Sequence, residues 1–126
     1  MKQRKDAASA AHKMAKDVLS RLIEERGWTA EQEVSAPYDA SRRELRLDVT
    51  ATPPRRARPW PKFAFELQAA DVRGKEAEVL TALANGLAGY EDIVVIPIGG
   101  LTDAMPVAKW RSYLRSYLER LEVVRR

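Results

Sequence analysis

The 126-residue chain has no cysteine and a single histidine, His12. Without thiols there is no disulfide, no cysteine nucleophile and no cysteine zinc cluster, and with one imidazole the usual multi-histidine zinc catalysis is not expected. No apolar run approaches the ~18 residues of a membrane-spanning helix. The first residues, Met1-Lys2-Gln3-Arg4-Lys5-Asp6, are basic and lead into a helical pattern rather than an apolar secretory region. A cytoplasmic location is therefore the expectation. No repeat of solenoid length is present, and the length suits one domain, 1–126, with a core large enough to do without covalent staples. Strong charge of one sign is lacking too. The 22 basic residues face 18 acidic ones, for a net charge of +4 and a pI near 9.6, which suits a polyanionic partner without demanding one.

What is present is periodicity. From about Ala7 to Arg26, the residues Ala11, Met14, Ala15, Val18, Leu19, Leu22 and Ile23 recur at helical spacing, and Gly27 is a stop. Weak alternation from Trp28 to Ala36 predicts a first strand, followed by a turn over Pro37 to Ser41. Second and third strands are expected at Arg43 to Ala51 and Lys62 to Ala69. Lys75 to Ala88 reads as a helix with Val79, Leu80, Leu83 and Leu87 on one face. The branched run Ile93-Val94-Val95-Ile96 reads as a strand covered on both faces, reached by a parallel, right-handed crossover. Thr102 or Asp103 is expected to cap a last helix, with Pro106 in its first turn and with Val107, Trp110, Leu114, Tyr117, Leu118 and Leu121 buried. The aromatic side of that helix, Trp110, Tyr113 and Tyr117, reads as a docking surface or as core packing, and the apolar spacing favours packing. The order αβββαβα predicts an α/β protein, a mixed four-stranded sheet flanked by helices.

The chemistry concentrates on two strands. In Leu45-Arg46-Leu47-Asp48-Val49 the apolar residues alternate, so Leu45, Leu47 and Val49 are expected on one face and Asp48 on the other. In Phe63-Ala64-Phe65-Glu66-Leu67-Gln68 the same period sets Glu66 and Gln68 opposite Phe63, Phe65 and Leu67. Paired as a hairpin, the strands bring Asp48 and Glu66 together. Two such carboxylates repel, and a hard divalent cation, Mg²⁺ or Mn²⁺, relieves the repulsion. The plainer alternative is that Asp48 pairs with Arg46 or Arg43, and Glu66 with a lysine, on an exposed sheet face. Thr52 to Pro61 holds four prolines, which exclude a paired strand interior. In that loop Arg55, Arg56 and Arg58 beside Trp60 suit phosphate contact and base stacking, or equally a solvated, proline-stiffened loop.

This order, with Asp48 on the second strand and Glu66-Leu67-Gln68 on the third, resembles the PD-(D/E)XK nuclease superfamily, the restriction-endonuclease-like fold. The resemblance covers about Ala8 to Ile98. His12-Lys13, Arg46-Leu47-Asp48-Val49 and Phe65-Glu66-Leu67-Gln68 are similar to the nuclease domain of competence-protein CoiA-like sequences, and Holliday-junction resolvases share the general layout. The resemblance implies a metal-dependent DNA endonuclease hydrolysing phosphodiester bonds in repair, recombination, uptake or defence. Asp48, Glu66 and the backbone carbonyl of Leu67 would hold Mg²⁺ or Mn²⁺, and Gln68 would take the place of the motif lysine. Leu47 stands where the motif has proline. Gln68 is the weightier departure, because an amide orients water but takes no proton and lends no charge, although an E-x-Q variant occurs among active members. Lys75 is either a lysine migrated from the motif position or an ordinary solvated one, the latter being the default. In the superfamily an acid on the first helix often joins the site, and Asp17 and Glu24 are available. His12 and Lys16, one helical turn apart, are placed to bind phosphate, or are boundary residues of the helix. Cutting both strands of a duplex would call for a homodimer. The alternative function is a nuclease-fold module that binds DNA or protein without catalysis.

Overall fold

A computed structural model describes residues 2–37, 44–54, 62–84, 90–119 and 121. Helix α1 (Lys2–Glu25) carries the expected stripe, with Ala11, Ala15, Val18, Leu19, Leu22 and Ile23 buried. Gly27 ends it. With φ at +83°, Gly27 donates its N–H to the Glu24 carbonyl, and Trp28 donates to that of Ile23. These are the two bonds of a Schellman stop, which needs a left-handed residue that glycine adopts without steric cost. The chain then enters β1 (Thr29–Pro37), β2 (Glu44–Thr52) and β3 (Lys62–Gln68), crosses through α2 (Val72–Ala84) to β4 (Tyr90–Pro97), and closes with α3 (Val107–Arg115) and a 3₁₀ turn at Ser116–Leu118. The sheet order is β1-β2-β3-β4, antiparallel between the first three and parallel between β3 and β4. The expected mixed sheet flanked by helices is what forms.

Two apolar layers fill the faces of this sheet. On one, α1 and α3 pack over Val49, Ala51, Phe63, Phe65, Leu67, Ile96 and Ile98. On the other, Val79 and Ala82 of α2 pack over Ala36, Leu45, Leu47, Ala64 and Ile93. β4 serves both layers, Ile93 and Val95 in one and Val94 and Ile96 in the other, as its unbroken branched run implied. Trp110, fully buried, donates its indole N–H to the Thr102 carbonyl, and Tyr113 and Tyr117 pack beside it, so the aromatic side of α3 is core.

The alternation expected in β2 is not observed. Leu45 and Leu47 belong to the α2 layer, whereas Val49 and Ala51 belong to the α1 layer. β1 makes the same exchange, since Ala30 packs with the first layer and Val34 and Ala36 with the second. A strand of strict period two cannot do this. The exchange falls at Glu33 and Asp48, the one pair missing from an otherwise continuous β1–β2 register, and Glu33 has a φ of +56°. Three smaller expectations also change. Pro106, not Thr102 or Asp103, occupies the N-cap of α3, without a side-chain cap bond. Val107 is exposed, because the helix begins there beyond the edge of the core, and Leu80 on α2 is exposed as well.

Candidate functional site

The site arises where β2 and β3 part. Their pairing covers only Val49–Ala51 against Phe63–Phe65. Beyond Val49 strand β2 stays paired with β1, and beyond Phe65 strand β3 stays paired with β4. The next residues, Asp48 and Glu66, meet in the opening. Each carboxylate takes over a ladder position on the opposite strand: Glu66 Oε1 accepts the Asp48 N–H at 3.1 Å, and Asp48 Oδ2 accepts the Leu67 N–H at 2.7 Å. Two backbone donors that the parting would strand are thereby satisfied.

The other oxygen of each carboxylate then meets a basic side chain from a different helix. His12 Nε2 of α1 lies 3.4 Å from Asp48 Oδ1, and Lys75 Nζ of α2 lies 3.4 Å from Glu66 Oε2. A single line of ionisable groups thus runs His12, Asp48, Glu66, Lys75 from one helical layer to the other. Lys75 has little exposed side chain and also reaches Glu78 at 3.6 Å, so it is not the ordinary solvated lysine of the default reading. The start of α2 is fixed next to it. Asp71 accepts the Gly74 N–H on its carboxylate at 3.2 Å and the Lys75 N–H on its carbonyl at 3.1 Å. A Cβ at Gly74 would stand 2.2 Å from that carboxylate, so a larger residue there would displace the Asp71 side chain and break this cap.

The environment drives the two acids apart. Burial, then the Asp48 charge, pushes Glu66 up to about 7, against the opposing pull of Lys75 and of the Asp48 N–H. Burial also works to raise Asp48, but the His12 hydrogen bond, the Leu67 N–H and the positive charges of His12 and Lys16 outweigh it, and Asp48 titrates below its usual value. His12 is raised in turn, its bond to Asp48 prevailing over burial. An almost wholly buried carboxyl that gives up its charge near neutrality marks where an added cation would be welcome.

Among the described residues no group of three or more His, Cys, Asp and Glu side chains is arranged to hold a metal. The donors that fit are Asp48, Glu66 and the carbonyl of Leu67. The amide and carbonyl of one strand residue point to the same edge, so a Leu67 amide turned to Asp48 carries its carbonyl to that side. Two carboxylates, a carbonyl and waters are a donor set suited to Mg²⁺, which keeps much of its water and demands few protein ligands.

The other expected residues fall elsewhere. Gln68 donates its amide N–H to the Ala70 carbonyl, within its own turn. Asp17 is exposed and accepts from Gln32 at 3.2 Å, and Glu24 is exposed. Lys16 shares the His12 side of α1 but pairs with Glu33. Arg55, Arg56, Arg58 and Trp60 lie outside the described residues. The strand ends that border that loop, Thr52 and Lys62, flank the closed end of the β2–β3 pair, some 13 Å along the strand from Asp48 at ~3.3 Å per residue.

Glu33 was missed. Its carboxylate is held by Lys16 on Oε1 and by Arg46 at 2.9 Å on Oε2, and its charge is felt by both His12 and Asp48. Left-handed backbone at a non-glycine residue costs about 1–2 kcal/mol. Exposed ion pairs return about 0.2–1 kcal/mol each, so the two pairs no more than offset the strain. Nothing in the local sequence Gln32-Glu33-Val34 signals a positive φ; an acid between two alternating strand residues was the only cue. Compared with known proteins, the chain matches no family model, no curated protein and no solved structure.

Proposed function

We propose that the parting of β2 and β3 at Asp48 and Glu66 forms the active site of a metal-dependent nuclease of the PD-(D/E)XK kind, acting on DNA in the cytoplasm. The observation that carries this reading is the pair itself: two acids on adjacent strands, one buried and raised to about 7, beside a lysine from the following helix at 3.4 Å. Buried carboxylates shifted by desolvation and a specific charged partner cluster at functional sites, which supports the reading.

Asp48, Glu66 and the Leu67 carbonyl would hold Mg²⁺ or Mn²⁺. When bound, such an ion supplies Lewis acidity to a water and to the scissile phosphate. The chain's own residues do the rest. Lys75 provides the positive charge that Gln68, in the motif-lysine position, lacks, and it does so from α2 rather than from the strand. His12 holds Asp48 ionised and presents an N–H beside it for a phosphate oxygen. With a solvated side of the opening at His12, the proton of the attacking water leaves to bulk water or to a phosphate oxygen. Cutting of both strands of a duplex would take two copies.

The test is cleavage of supercoiled, linear, single-stranded and branched DNA with Mg²⁺ or Mn²⁺. Asp48→Asn, Glu66→Gln and Lys75→Met are each expected to reduce cutting to background while the fold, read by circular dichroism, is kept. Cutting that persists in all three variants rejects the site. Salt-sensitive DNA binding by wild type, with no cutting on any substrate, selects the non-catalytic module instead.

A further inference from the structure

We propose that Lys16 and Arg46 form an anion cradle beside Asp48, and that the Glu33 carboxylate fills it until a phosphate of a nucleic-acid strand displaces it. The proposal deepens the phosphodiester reading and rests on it only for the identity of the anion. Its ground is geometric. Lys16 comes from α1 and Arg46 from β2, and each holds a different oxygen of the one carboxylate, as two cations would divide the oxygens of a phosphate. Lys16 stands one turn from His12, which touches Asp48 at 3.4 Å, so an anion in the cradle would lie next to the paired acids. The carboxylate reaches this place because Glu33 is left-handed, with φ at +56°, at the point where β1 and β2 change faces. Left-handed strain at a non-glycine residue, which the exposed pairs it makes at best offset, is often found where an element has a functional task. A resident carboxylate also keeps two clustered cations from repelling one another while the site is empty of substrate, and its partial exposure lets it swing out to solvent.

Glu33→Gln separates this reading from a structural ion-pair network. The amide is similar in shape but carries no competing charge. Binding is measured in EDTA, at fixed ionic strength, with two probes: inorganic phosphate, followed by amide shifts in ¹H–¹⁵N spectra, and a fluorescein-labelled single-stranded dodecanucleotide, followed by anisotropy. Removing one nearby negative charge is expected to tighten both by about fivefold. Lys16→Gln and Arg46→Gln are expected to weaken both, and the double change Glu33→Gln/Arg46→Gln to lose the gain. If Glu33→Gln binds phosphate no better than wild type, the cradle is overturned, since a network residue that merely holds Lys16 and Arg46 would weaken binding when neutralised. A gain for phosphate with none for the oligonucleotide overturns the assignment to nucleic acid. No cleavage enters these measurements, so a failed nuclease reading shows in the cutting assay and a failed cradle shows here.

Discussion

The two ends of the β2–β3 pair obey different rules. At the closed end, Val49, Ala51, Phe63 and Phe65 sit in regular antiparallel register and send their side chains into the layer under α1 and α3. At the open end the ladder is made by side chains: Glu66 and Asp48 bond the backbone of the facing strand, and β2 changes faces. The closed end is held by hydrocarbon, which carries no titrating group and so is indifferent to pH. The open end is held by charges that oppose each other, one of them lifted to about 7. Residues a single position apart thus bury hydrocarbon on one side and ionisable groups on the other.

The comparison breaks first at Phe65. Its ring is almost wholly buried among Val49, Leu67 and α1, so Phe65→Ala is expected to cost about 3–5 kcal/mol, read by urea unfolding, at pH 5 and pH 8 alike. A loss that varied strongly with pH would mean that the two ends are not separate.

Glu66, next along the chain, is expected to behave in the opposite way. Its folded pKa, about 7, lies above the usual 4.5, so between these values the folded state binds the extra proton and stability falls as pH rises. The contribution is fully present below about 4.5 and is lost as pH passes through about 7. The shift corresponds to roughly 3 kcal/mol at most. Glu66→Gln should therefore melt above wild type at pH 8 in EDTA, match it near pH 4.5, and flatten the slope between. Mg²⁺ should raise the wild-type melting temperature at pH 8 and leave the variant unmoved. A wild-type stability that is level from pH 4.5 to 8 would deny the buried carboxyl its raised pKa.

Much of this contrast was legible before any coordinates. Alternation along β3 separated Glu66 from Phe63 and Phe65, Gly27 marked the end of α1, and the run Ile93 to Ile96 announced a strand with two covered faces. The change of face in β2 was not legible. Because both faces of this sheet are apolar, Leu45, Leu47, Val49 and Ala51 satisfy a period of two whether or not the strand turns over between Leu47 and Val49; burial is the same, and only the partner differs. Glu33 was hidden for a related reason, since no residue type favouring a positive φ stands there. Lys75 reads in the sequence as a solvated lysine because its partner, Glu66, lies on β3 and meets it only once the sheet and α2 are packed.

The smallest effect expected, and the one that probes the line of charges most finely, belongs to His12. Its pKa is raised by Asp48 above the ordinary 6.5, so its contribution is present below 6.5 and disappears as pH rises through the higher folded value. The imidazole is about a third exposed, 30% by side chain, which limits the pair to about 0.3–1 kcal/mol. His12→Gln should then lower stability at pH 5.5 by that amount and have almost no effect at pH 8.5. Asp48, with its cationic neighbour gone, should titrate higher, a change that ¹³C carboxyl shifts would register. Loss of stability that is equal at the two pH values would assign His12 to packing on α1, and Glu66 and Lys75 would then stand as a pair on one side of the sheet rather than as half of a line crossing it.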